Sequence, residues 1–353
     1  MANRYWVGGT GTWDSSNTAN WSTSSGGSGG ASVPTDSDFV YFDGNSGTGN
    51  CTYSDFSGRY YGRLDFTGYS GTFTNSATLR IDGSLFFSSG MTLSGFSDIY
   101  VWPGALGGVK TADYWSYGKS PYSIEFIAQS GSSVVLRDNV SVQTNLYFSL
   151  RNGFIYAENR TITTGSRVTL STNTGSTNNY LYFSGSTINT ERFEMEGFGT
   201  GTANIVTNSS TVVNLTGSYP VCYLGGQYTN AFTMPTVNVS GSVSSAYYRQ
   251  YNTSLHRVGT LWINASTSNH FFESNFYTSN FQVTGAAKTV RSNSAGTAIT
   301  ITAATSYLLE NVSFRDITAA GNIPFSGTGL VDLGGNTNIT FSSGSGLFFG
   351  SNF

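Results

Sequence analysis

The chain has 353 residues and a net charge of −3, and only 10% of its residues are charged, against about 25% in an average soluble domain. Glycine fills 44 positions, aromatic residues make up 15%, and there are three lysines, Lys110, Lys119 and Lys288. This balance excludes a long-helix protein and a charge-rich disordered chain. It also offers no basic stripe for nucleic acid and no apolar run near the ~20 residues that span a bilayer. What remains is an all-β protein whose surface is hydroxyl and amide. Neither nucleic acid nor membrane insertion is expected.

The chain opens on Met1-Ala2-Asn3-Arg4-Tyr5-Trp6-Val7-Gly8-Gly9. This stretch has no apolar signal core, so a cleaved leader is not expected. Residues 1–49 read as a Trp/Gly-rich cap or docking segment. Trp6, Trp13 and Trp21, spaced by short glycine turns and followed by Pro34, make a compact apolar plug. An open solenoid end must be covered, which gives such a plug its purpose. Presentation of these rings to a sugar is the functional alternative. Asp36, Asp38 and Asp43 lack the register of a calcium loop, and Phe39 to Phe42 between them reads as a strand.

From residue 50 to 345 short apolar alternations recur: Thr78 to Phe87, Val134 to Leu136, Val140 to Val142, Leu146 to Phe148, Phe154 to Tyr156, Val168 to Leu170 and Val212 to Leu215. Similar stretches run at Ile299 to Thr302 and Val312 to Phe314. Each is three to six residues bounded by Gly, Ser or Asn, and no 3.6-residue rhythm persists. Groups of these triplets return every 20–28 residues or so, the spacing of a solenoid coil. The predicted fold is a single-stranded right-handed parallel β-helix of about ten to twelve coils at ~4.8 Å per coil. β-Sandwich modules are the alternative. The solenoid also explains the missing charge, since like charges on successive rungs would stack into repelling ladders. Ser, Thr and Asn would instead form hydrogen-bonded ladders.

Two irregular segments interrupt the pattern, near 102–122 and 217–257. The first carries Trp102, Trp115, Tyr117 and Lys119, the second Tyr247, Tyr248, Arg249 and Tyr251. Tyr, Trp and Arg are favoured in contact surfaces, so these eight are the predicted binding residues. Between the segments lies the densest charge group, Glu191 to Glu196. On a strand Phe193 and Met195 face in, and Glu194 and Glu196 face solvent at a spacing that inverting glycosidases use. Any i, i+2 pair meets that test, so both acids read as solvated surface and no catalytic residue is assigned. His256 and His270 have no acid or thiol at ligand spacing, and no metal or cofactor is expected. Cys51 and Cys222 read as isolated buried thiols. Residues 346–353 read as a C-terminal plug.

The opening resembles bacterial and phage surface β-helix proteins with a Trp-x-Gly-Gly-x-Gly-x-Trp pattern, here Trp6, Gly8, Gly9, Gly11 and Trp13, followed by Asn20-Trp21 and Pro34, Asp38, Val40 and Phe42. Leu309 to Thr318 and Gly334 to Phe341 resemble coils of the pectin-lyase type. The resemblance implies a parallel β-helix displayed outside a cell or on a virion. The expected function is a non-enzymatic structural or adhesive protein of a bacteriophage virion: a capsid decoration, tail fibre or tailspike-like element. It would be made in the host cytoplasm, contact other virion proteins and host surface glycans in host recognition, and form a homo-oligomer if displayed symmetrically. A secreted, extracellular bacterial adhesin and a polysaccharide lyase or glycoside hydrolase are the alternatives.

Overall fold

The computed structural model describes all residues except 108–109, 173–177, 198–202, 226–231, 252–255, 267 and 342–353, with backbone only at 196, 203 and 268. The chain winds into a right-handed parallel β-solenoid of about ten turns. Two compact units compose it, one of residues 1–214 with 225–235, the other of residues 215–224 and 236–353. Every described strand pairing is parallel except one in the first turn, which removes the sandwich alternative, since sandwiches are built from antiparallel sheets. The C-terminal plug at 346–353 lies outside the described residues.

In the first unit one sheet runs through strands Asn3–Trp6, Phe39–Tyr41, Tyr60–Asp65, Leu79–Phe86, Asp98–Val101, Ser123–Gln129, Asn145–Arg151, Arg167–Thr172 and Arg192–Gly197, each parallel to the next. The long strand Leu79–Phe86 forks. Its first half pairs with Asp98–Val101, and its end pairs with Thr111–Trp115. From there a second arm continues through Ser133–Leu136, Phe154–Tyr156, Asn179–Tyr182 and Ala203–Val206. Two further ladders close the coil: Gly11–Trp13, Asn50–Tyr53, Thr72–Asn75 and Thr92–Gly95, then Val140–Val142, Thr161–Thr164 and Thr187–Thr190.

Alternation decides what is inside. Ile99, Ile124, Leu146, Val168 and Phe193 form one inward column, and Val101, Phe126, Phe148, Leu170 and Met195 the next, all buried. Each such side chain contributes about 1.5–3 kcal/mol on leaving water. Hydroxyl ladders do appear: Thr164 with Thr190 at 2.8 Å, Thr74 with Ser94 at 2.9 Å and Ser149 with Ser171 at 3.0 Å. Coil corners use left-handed residues. At Gly95, with φ of 101°, a Cβ would lie 2.1 Å from the carbonyl oxygen of Asn75 on the adjoining rung, so only glycine fits.

The second unit repeats the scheme. Val221–Leu224, Ser245–Gln250, Ser268–Phe272, Lys288–Ser292, Val312–Arg315 and Val331–Asp332 form one parallel ladder. His256–Ala265, Phe276–Val283, Ile299–Leu309 and Ile317–Gly321 form the other.

The Trp-rich start folds as the first rung. Trp21–Ser22 pairs antiparallel to Asn3–Trp6 and so ends the ladder's edge. Trp6, Trp13 and Trp21 are fully buried, Pro34 is buried, and the indoles pack edge to face on one another at 5.0–5.3 Å. Trp6 stacks on Phe42 at 5.5 Å, and Trp13 meets Tyr53 at 4.8 Å. These rings are a core, and none presents a face to a sugar. Asp38 accepts from the amides of Ala2 and Thr35, and Asp36 from that of Tyr60, so both carboxylates lock turns.

Candidate binding faces

Outward strand positions form a continuous column along the first unit. Rung pairing places Tyr60, Arg80, Tyr100, Glu125, Tyr147, Thr169 and Glu194 in one outward column. Beside it run Asp98, Ser123, Asn145, Arg167 and Arg192. The Arg80 guanidinium lies 5.9 Å from the ring centres of both Tyr60 and Tyr100, and Arg167 lies 5.5 Å from that of Tyr147. Between them Asp98, Tyr100, Ser123, Glu125, Asn145 and Tyr147 line a cleft of about 250 Å³. Burial, then the nearby charges of Asp98 and Glu125, push the Tyr100 phenol up, so it stays a hydrogen-bond donor. Glu125 accepts from Ser149 Oγ at 2.5 Å. The cleft thus holds two carboxylates, two phenols, an amide and a hydroxyl on a rigid ladder. Rung partners in this column follow one another at intervals of 20 to 25 residues, the periodic signal that finds them.

The predicted loop near 102–122 is only partly a loop. Thr111–Trp115 is a regular strand of the second arm, with Ala112 and Tyr114 buried. Trp102 is half-buried. Its Nε1 donates to Gln129 Oε1 at 3.0 Å, Arg151 stacks on its face at 4.7 Å, and Tyr60 meets its edge at 5.9 Å. Its turn is pinned by Asp82, which accepts from the Leu106 amide at 3.3 Å. Trp102 therefore stands beside the Tyr60 end of the column. Trp115 stacks on exposed Tyr117 at 5.4 Å, and Lys119 Nζ donates to the Ser89 carbonyl at 2.9 Å.

Glu194 is not solvated surface. It sits outward on strand Arg192–Gly197 but is only 2% exposed, because Arg192 at 2.6 Å and Arg167 at 3.6 Å close over it. A carboxylate clamped between two guanidiniums is a structural anion. The Glu196 side chain lies outside the described residues.

The segment near 217–257 is likewise mostly ladder, through strands Val221–Leu224, Phe232–Gly241 and Ser245–Gln250. Alternation separates its candidates. Tyr248 is fully buried, its hydroxyl 2.8 Å from His270 Nδ1, so it is a core residue and no contact surface. Tyr247 faces out and stacks on Phe271 at 5.2 Å. Arg249 pairs with Glu273, packs 4.6 Å from the Tyr223 ring centre and donates to the hydroxyl of exposed Tyr251 at 3.0 Å. Both histidines are buried, and His256 Nδ1 lies 2.7 Å from the Tyr251 carbonyl oxygen. Cys51 and Cys222 are buried free thiols, raised by desolvation.

No family model, curated protein or solved structure matches the chain. What stands is a parallel β-solenoid with ordered outward columns.

Proposed function

We propose that the protein is a non-enzymatic structural or adhesive element displayed on a particle surface, and that the particle is a bacteriophage virion. The observation that carries the adhesive reading is the outward column from Tyr60 to Glu194 with its cleft. Its rings, hydroxyls and carboxylates are fixed by β-ladder pairing, so they meet a polyhydroxylated partner with little ordering cost. The Trp/Gly-rich opening and the hydroxyl surface support the virion setting.

Asp98 and Glu125 favour a second reading, glycoside hydrolysis. They stand on neighbouring rungs two positions out of register, which puts their Cα atoms about 8 Å apart. Inverting enzymes hold their two carboxyl groups about 6.5–9.5 Å apart, a separation that side chains rooted on neighbouring rungs can span.

One experiment separates the two. The protein is passed over immobilised surface polysaccharide of the host, with reducing ends and viscosity followed in parallel. The adhesive reading expects retention without cleavage, and a loss of retention of tenfold or more in Tyr147→Ala. Cleavage that disappears in Glu125→Gln overturns the non-enzymatic reading.

A further inference from the structure

The second unit contains a like-charge rung whose two members share no carboxylate among the described residues. Tyr247, Phe271, Arg291 and Arg315 succeed one another in a single outward column. Arg291 and Arg315 are direct rung partners, so two guanidiniums stand one strand apart, an arrangement that costs stability. In the first unit the rung partners Arg167 and Arg192 share Glu194, and in the second Arg249 of the neighbouring column has Glu273. Among the described residues the carboxylate paired with this rung is that of Asp316, 3.6 Å from Arg315 Nε, and it also accepts from the amide of Gly296. Among the described residues Arg291 forms no ion pair.

The surroundings aim this charge outward. Arg291 lies 5.2 Å from the Phe271 ring centre, and Phe271 stacks on Tyr247 with an interplanar angle of 14°. Arg291 Nε donates to the Ser292 carbonyl at 3.4 Å, so stacking fixes the guanidinium's face and its terminal N–H groups are left to donate, which suits the two oxygens of a planar carboxylate. The adjoining outward column is Asn269, Thr289 and Ser313. These residues line a cleft of about 450 Å³ together with Ser244 and Lys288. Amide and hydroxyls beside an anion-binding fork match a sugar that carries a carboxylate.

We propose that the outward face of the second unit, centred on Arg291 and Arg315, binds a carboxylate-bearing polysaccharide. The proposal rests on the adhesive reading and adds the ligand class. Two guanidiniums on a chain of net charge −3 are too few for a nucleic-acid footprint, which recruits several phosphates.

The test is affinity electrophoresis through gels containing polygalacturonate, the same polymer fully methyl-esterified, or single-stranded DNA. The parent protein is expected to be retarded by polygalacturonate alone. Arg291→Gln and Arg315→Gln each weaken retention by tenfold or more, and Arg291→Lys weakens it as well, because the charge stays but the fork is lost. Arg137→Gln, which removes an equal charge from a pair with Asp113 in the first unit, leaves retention unchanged. Arg291→Gln also relieves the like-charge rung, so its thermal midpoint is expected to equal or exceed the parent's. The proposal is overturned by no retention on polygalacturonate, by equal retention on the ester, by stronger retention on DNA, or by equal effects of Arg137→Gln and Arg291→Gln. None of these outcomes bears on whether the protein occupies a particle, which is measured separately.

Discussion

Arg167 and Arg192 are direct rung partners, and the carboxylate of Glu194 lies against both, 3.6 Å from one and 2.6 Å from the other. Like charges do stack in this solenoid, contrary to the rule that accounts for its low charge content. At this rung a neighbouring strand position supplies the counter-ion.

Glu194→Gln leaves that pair without its anion. The expected cost is about 1–3 kcal/mol, held below the value for a fully buried pair because both arginines are partly exposed. Chemical denaturation checks it. Adding Arg192→Gln restores most of the loss, since one cation then remains. Equal stability of Glu194→Gln and parent contradicts the clamp.

The buried indoles and the exposed aromatics separate by the size of their truncation effects. Trp13→Ala is expected to cost about 3–5 kcal/mol, as for large core residues. Tyr117→Ala, at a ring that is 45% exposed, stays within about 0.5 kcal/mol. Urea midpoints of the two variants decide this, and similar losses contradict the assignment of the tryptophans to a core.

Gly95→Ala combines a positive φ with a backbone oxygen where the new methyl must go. A loss of about 2 kcal/mol or more is expected. Gly107→Ala, whose Cβ would meet nothing within 4 Å, costs less despite its own φ of 80°. Thermal midpoints measured side by side test the difference, and equal losses would mean that the neighbouring rung is not the obstacle.

Burial, then the charge of Lys288, lowers His270 to about 3 from an ordinary 6.5. Below pH 6.5 the unfolded chain takes up a proton that the folded chain refuses. Stability is therefore complete above pH 6.5 and declines as pH falls toward 3, by on the order of a few kcal/mol. Denaturation at pH 7 and pH 4.5 shows the slope, and His270→Gln reduces it. An identical slope in parent and variant contradicts a buried neutral imidazole.

Much of the fold was legible because period-2 alternation and 20–28-residue recurrence are local signals. The strands at Val140–Val142, Phe154–Tyr156 and Val212–Leu215 match the apolar triplets residue for residue. The binding faces were harder to see. Tyr100, Glu125 and Tyr147 become neighbours only through register, and each alone is an ordinary outward residue. Arg291 and Arg315 are likewise 24 positions apart and meet one strand apart. Conversely, Tyr248 lies within an aromatic and basic run that looked like a surface, yet alternation puts it in the core between outward Tyr247 and Arg249. Composition marks such a run, and only the strand's phase says which of its side chains face out.

The proposed display on a bacteriophage particle is decided by locating the chain. Purified particles are analysed by mass spectrometry and labelled with antibody for electron microscopy. The intact chain is expected in stoichiometric amount, with label on the outer surface. Particles that lack the chain, or carry it only in the interior, contradict it.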